Sequence, residues 1–141
     1  MNTTDTTKSL GTVVVCDDEA HVRHIVSAKL REHGYAVVEA RDGVQGFEKA
    51  VAERCVLVIT DLQMPGGSGL DLAIALKAHE STSKTPILML TARGYILDRQ
   101  QLDSTNVVEV IPKPFGVRQL MERVQRVLAG VPGNGARHLA A

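Results

Sequence analysis

The sequence predicts an open α/β sheet of five parallel strands, each followed by a helix, and two observations carry this. Short apolar runs rich in Val and Ile alternate with segments of helical periodicity, five times in succession. Four of the five runs are almost continuously apolar, as strands covered on both faces are, rather than alternating as half-exposed strands do. Parallel neighbours require a crossover connection, and a helix between consecutive strands provides it.

In chain order, the first strand is expected at Thr12–Cys16 and its helix is marked by Val22, Ile25, Val26 and Leu30. That helix should end near His33-Gly34, where glycine supplies a left-handed cap. A second strand at Ala36–Ala40 precedes a helix over residues 43–53. The third strand, Val56–Thr60, leads to a helix marked by Leu70, Ala73, Ile74 and Lys77. A fourth strand at Pro86–Leu90 is followed by a weaker helical pattern from Ile96 to Leu102, and a fifth covers Val107–Ile111. The last helix has the clearest periodicity: Val117, Leu120, Met121, Val124 and Leu128 follow the spacing of one helical face.

The 141 residues suit one domain with a real core, placed at residues 12–129. Residues 1–11, polar and threonine-rich, read as a flexible lead-in, and residues 130–141, with three Gly and a Pro, as a flexible tail. With only 3% aromatics and no Trp, the core must be aliphatic. Sixteen basic and sixteen acidic residues cancel, so no overall field draws the chain to nucleic acid or an anionic membrane. Cys16 and Cys55 show no metal-ligand spacing and read as buried thiols of a reducing compartment. The N-terminus lacks a signal-peptide pattern and no apolar stretch approaches the ~20 residues of a membrane helix. A cytoplasmic protein is expected.

In open α/β sheets the ligand crevice lies beyond the carboxyl ends of the strands. Asp17-Asp18-Glu19 follow the first strand, Asp61 the third, Thr91 the fourth and Lys113 the fifth. Crowded carboxylates repel, and a hard divalent cation resolves the conflict. Mg²⁺ suits the set, because it binds one or two carboxylates, keeps waters and accepts phosphate oxygens. With a lysine opposite and a carboxylate available as nucleophile, the set suggests phosphoryl transfer to an aspartate. Each residue also has a structural explanation taken singly. The acids after the first strand could cap a helix, Asp61 could be a turn acid before Pro65-Gly66-Gly67, Thr91 could cap the fourth helix, and Lys113 could be a surface lysine. All of them at one sheet edge favour a site.

The segments VVVCDDE (13–19), ITDLQMPGGSGLDL (59–72), LMLTA (88–92) and IPKPF (111–115) together resemble the receiver domain of two-component response regulators, over about Thr12 to Ala129. The resemblance implies a flavodoxin-like doubly wound (βα)5 sandwich with strand order 2-1-3-4-5. It implies Asp61 as phosphoacceptor, and Mg²⁺ held by Asp18, Asp61 and the main-chain carbonyl of Gln63, with Asp17 in the same sphere. Lys113 would pair with one phosphoryl oxygen and Thr91 would hydrogen-bond another, while Ala92 leaves access open. The Lys113-Pro114 bond is expected to be cis. Phosphate on Asp61 would draw Thr91 inward and shift the face of the fourth helix, fifth strand and fifth helix.

Two departures from the family pattern stand out. Many receivers carry a Tyr or Phe three residues before the lysine, where this chain has Val110; Tyr95 is the candidate substitute as switch residue. The stretch Gly66-Gly67-Ser68-Gly69 is unusually rich in glycine, which suggests a mobile loop. The implied function is a stand-alone phosphorylation switch rather than a turnover enzyme, with slow self-hydrolysis at most. A histidine kinase or histidine phosphotransfer protein would supply the phosphate, and a protein target would read it. The switch would be a monomer or a phosphorylation-dependent dimer, without direct nucleic-acid or membrane contact. One alternative is a constitutive interaction module on the same fold. Another is a small Mg²⁺-dependent aspartyl phosphatase, disfavoured because Gln63 stands where such an enzyme has a second acid and no cap segment is present.

Overall fold

The computed structural model describes residues 9–92 and 97–130. Strand and helix alternate throughout: β1 (Thr12–Cys16), α1 (Ala20–Glu32), β2 (Ala36–Ala40), α2 (Gly43–Glu53), β3 (Leu57–Asp61), α3 (Gly69–Ala78), β4 (Ile87–Thr91), α4 (Arg99–Asp103), β5 (Val107–Pro112) and α5 (Val117–Leu128). All strand pairs are parallel, and the sheet runs β2-β1-β3-β4-β5, the order implied above.

Side-chain alternation along the strands divides the core between the two faces. Val14, Cys16, Val58 and Met89 pack towards α2, α3 and α4. Val13, Val15, Ile59 and Leu90 pack towards α1 and α5, against Val26, Leu30, Leu120, Met121 and Val124. β3 and β4 are buried at every position, which is why they read as continuous apolar runs. The edge strands β2 and β5 are less covered. β5 alternates, and a register shift opposite Ile87/Leu88 puts Val107 and Val110 on one face of the sheet and Ile111 on the other.

Several expected boundaries move. β3 and β4 start and end one residue later than their apolar runs suggest, so Asp61 and Thr91 are the last residues of their strands, not the first residues beyond them. Their backbones continue the ladder regardless of their polar side chains, Asp61 opposite Leu90 and Thr91 opposite Pro112. The buried face of α3 is Gly69, Leu72, Ala73 and Leu76, whereas Ile74 is 49% exposed. That helix is apolar nearly all round, so its periodicity alone does not select the inner face. α4 is a short helix starting at Arg99, capped by Asp98; Tyr95 and Ile96 lie outside the described residues. α1 ends as anticipated, with Gly34 at φ +100°.

Both cysteines are free and buried. Burial pushes the Cys16 thiol up to about 12, and it donates to the Asp42 carbonyl at 3.1 Å. Among the described residues, no helix is long and apolar enough to cross a membrane.

Candidate functional site

Parallel strands all present their carboxyl ends at the same edge, so residues far apart in sequence meet there. Asp17 immediately follows β1, Asp61 closes β3, Thr91 closes β4 and Lys113 follows β5. The registers Cys16↔Thr60, Asp61↔Leu90 and Thr91↔Pro112 bring these ends level. The Lys113 amide donates to the Thr91 carbonyl at 2.7 Å, and the Lys113-Pro114 bond is cis.

Lys113 Nζ lies 3.3 Å from Asp17 Oδ2, 3.3 Å from Asp61 Oδ1 and 3.4 Å from Glu19 Oε1. Carboxylate oxygens of Asp17, Asp18 and Asp61 all lie within 4.8 Å of one another. Asp17 and Asp61 are buried, whereas Asp18 is exposed to the cleft that Gln63, Ala92 and Pro114 also line. Thr91 is buried at the end of its strand.

The structural explanations open to single residues do not hold here. Glu19 is the N-cap of α1, but its side chain makes no capping hydrogen bond, and the first turn of the helix carries no acid. Instead the Glu19 amide donates to Asp17 Oδ1 at 2.9 Å, which fixes one Asp17 oxygen while Lys113 takes the other. The cap of α4 comes from Asp98, not Thr91. Lys113 is drawn into the acid cluster rather than standing free in solvent.

The electrostatics show a charge imbalance. Burial raises the pKa of Asp17, only partly offset by the Glu19 amide and then by Lys113. Burial and then the Asp17 carboxylate raise that of Asp61. Burial alone would lower Lys113, but Asp17 and Asp61 outweigh it and hold the ammonium above its ordinary value. Asp17, Asp18 and Asp61, with Glu19 at the rim, outnumber the one Lys113 ammonium among them and leave an all-oxygen donor set with a net negative charge. A hard divalent cation fits that deficit in charge and in ligand chemistry.

Two residues that support the site are not evident from motif reading. Gly69, the first residue of α3, packs against the chain at Asp61: its amide donates to the Leu62 carbonyl at 2.7 Å, and a Cβ there would overlap the Asp61 carbonyl oxygen. The neighbouring glycines serve differently, Gly66 and Gly67 turning the chain at φ +78° and +141°. Ser68 then starts α3 with a capping box to Asp71, so the far end of this loop is tied down. The second residue is Arg23 on α1, whose Nη1 donates to the Asp17 carbonyl at 2.8 Å.

Comparison with known proteins agrees with the geometry. The family model described as "Response regulator receiver domain" matches residues 13–125. The phosphate regulon transcriptional regulatory protein PhoB of Pseudomonas aeruginosa is 36% identical over 117 residues, which is 83% of this chain and 51% of that protein. The chain thus spans about half the length of the curated relatives it matches. The chemotaxis protein CheY4 of Vibrio cholerae superposes with a TM-score of 0.78 at 31% identity, covering 84% of this chain and 99% of that one. The receiver domain of a Pseudomonas aeruginosa sensor histidine kinase superposes with a TM-score of 0.75 at 25% identity, covering 84% of this chain and 98% of that one. That structure has a magnesium ion coordinated in its active site cleft.

Proposed function

Because this chain belongs to the response regulator receiver domain family, we propose that Asp61 accepts a phosphoryl group from a partner's phosphohistidine in a Mg²⁺-dependent reaction. The observation that carries the reading is Lys113 Nζ poised 3.3 Å from Asp61 Oδ1 within a carboxylate cluster that its single ammonium does not neutralise. An Asp61 oxygen attacks phosphorus; the O–P bond forms as the P–N bond to the imidazole breaks, and the released imidazole nitrogen takes up a proton. Little covalent work falls to the protein, so catalysis is positioning and charge stabilisation. Asp18, Asp61 and the Gln63 carbonyl would hold Mg²⁺, with Asp17 in the same sphere. Bound there, the ion supplies positive charge to the phosphoryl oxygens. Lys113 pairs with one of those oxygens and Thr91 with another, while Ala92 at the cleft leaves the approach open.

The domain at residues 12–129 acts as a switch that a protein target reads. A second reading, a constitutive module, draws on Val110, which is half-buried against the α2–α4 side of the core in place of a mobile aromatic. Intact mass after incubation with Mg²⁺ and a small phosphodonor decides between them. The proposed function predicts one added phosphoryl group in the wild type, absent without Mg²⁺ and absent in Asp61→Asn. A folded wild type that takes up none would leave the constitutive reading.

A further inference from the structure

We infer that Arg23, braced by Glu39, is a positioning residue that sets the acid pair by fixing the peptide between Asp17 and Asp18. This rests on the reading of the site as a cation-dependent phosphoacceptor.

Arg23 lies on α1 outside the cleft, its side chain only 15% exposed. Its Nη1 donates to the Asp17 carbonyl at 2.8 Å and its Nε to Glu39 Oε1 at 3.0 Å. That carbonyl belongs to the peptide joining the two aspartates, one residue after β1 has ended. The other side of Asp17 is still tied to the sheet, its amide donating to the Ala40 carbonyl at 3.0 Å. Arg23 therefore holds the half of the junction that the sheet does not reach.

The brace is itself fixed. Glu39 sits on β2 opposite Val15, and Lys49 Nζ donates to its main-chain carbonyl at 2.7 Å. Its carboxylate also meets His24 Nε2 at 3.5 Å and Arg31 Nη1 at 3.7 Å. A planar guanidinium spanning a carbonyl and a braced carboxylate fixes direction as well as distance, which a lysine ammonium cannot reproduce. Partners of this outer kind commonly change metal affinity 10–100-fold when removed.

Charge and positioning make opposite forecasts. By Coulomb attraction and repulsion alone, deleting a cation beside an acid cluster would tighten binding of a second cation. If Arg23 sets the geometry, deleting it loosens binding.

The test is Mg²⁺ affinity by calorimetry on wild type, Arg23→Ala, Arg23→Lys and Glu39→Gln, with thermal melts in parallel. Expected are a weakening of about tenfold in Arg23→Ala, partial recovery in Arg23→Lys and a smaller loss in Glu39→Gln, together with shifted amide resonances at Asp18 and Glu19. Unchanged or tighter binding in folded Arg23→Ala overturns the inference. If that variant does not fold, Glu39→Gln decides, and wild-type affinity in it is the overturning result. A wild type that binds no Mg²⁺ would instead remove the functional reading beneath the inference.

Discussion

Gly69 shows how tightly the strand that ends at Asp61 is packed by its own loop. Any side chain there meets the Asp61 carbonyl and comes within 3.0 Å of Leu62 Cα, so the backbone must move. Gly69→Ala should destabilise the fold by about 2–3 kcal/mol, in the range for forced overpacking, and should slow phosphorylation because the displaced segment carries Asp61. Denaturant unfolding and phosphodonor uptake measure the two effects; wild-type values in both would show that the loop yields freely. At this scale the sequence was legible where chemistry is local. Asp17, Asp18, Asp61 and Lys113 are adjacent to apolar runs, and the runs say which edge they share. Gly69 and Arg23 were not legible, because their work is contact with main chain, and a glycine-rich stretch or a helical arginine looks the same whether or not it makes one.

At the scale of elements, the strands are readable because burial on both faces leaves unbroken apolar runs, and the departures have two causes. Asp61 and Thr91 ended the runs by polarity while their backbones still paired. In α3 the face marked by Leu70, Ala73, Ile74 and Lys77 is not the buried one, Gly69, Leu72, Ala73 and Leu76, because apolar residues surround the helix and periodicity does not choose between faces. α5 was read correctly as amphipathic, yet its polar side holds something periodicity does not disclose: Arg123 forms an ion pair with Glu109, a nearly fully buried residue of β5. Removing the cation leaves that carboxylate without its ion-pair partner, which usually costs 3–5 kcal/mol in a fully buried pair. With Arg123 partly exposed, a loss of roughly 2–3 kcal/mol is expected for Arg123→Met. The double variant Glu109→Leu/Arg123→Met should recover most of it, and a double-mutant cycle by urea unfolding tests this. Additive losses would mean that the pair does not anchor α5 to the sheet edge.

For the whole molecule, two apolar layers hold a sheet whose one charged edge is left under strain from its own carboxylates. Asp17 and Asp61 both titrate above their ordinary value of 3.8. Between that value and their raised ones, the folded chain holds more protons than the unfolded chain. Without a divalent cation, the contribution of these two groups to stability should therefore fall as pH rises through the window above 3.8. Mg²⁺ and protons compete for the same oxygens, so the stabilisation Mg²⁺ confers should grow as pH rises through that window. At a hundredfold excess over its dissociation constant, a ligand bound only by the folded state adds ~2.7 kcal/mol. For a chain of this size that corresponds to roughly 10 °C in Tm. Melts with and without Mg²⁺ across a pH series measure both trends. Asp18→Asn and Asp61→Asn should each remove most of the Mg²⁺-dependent shift, and Asp61→Asn should also raise the metal-free Tm at neutral pH by relieving the repulsion on Asp17. A full Mg²⁺ shift persisting in Asp61→Asn would place the cation elsewhere and separate metal binding from the phosphoacceptor.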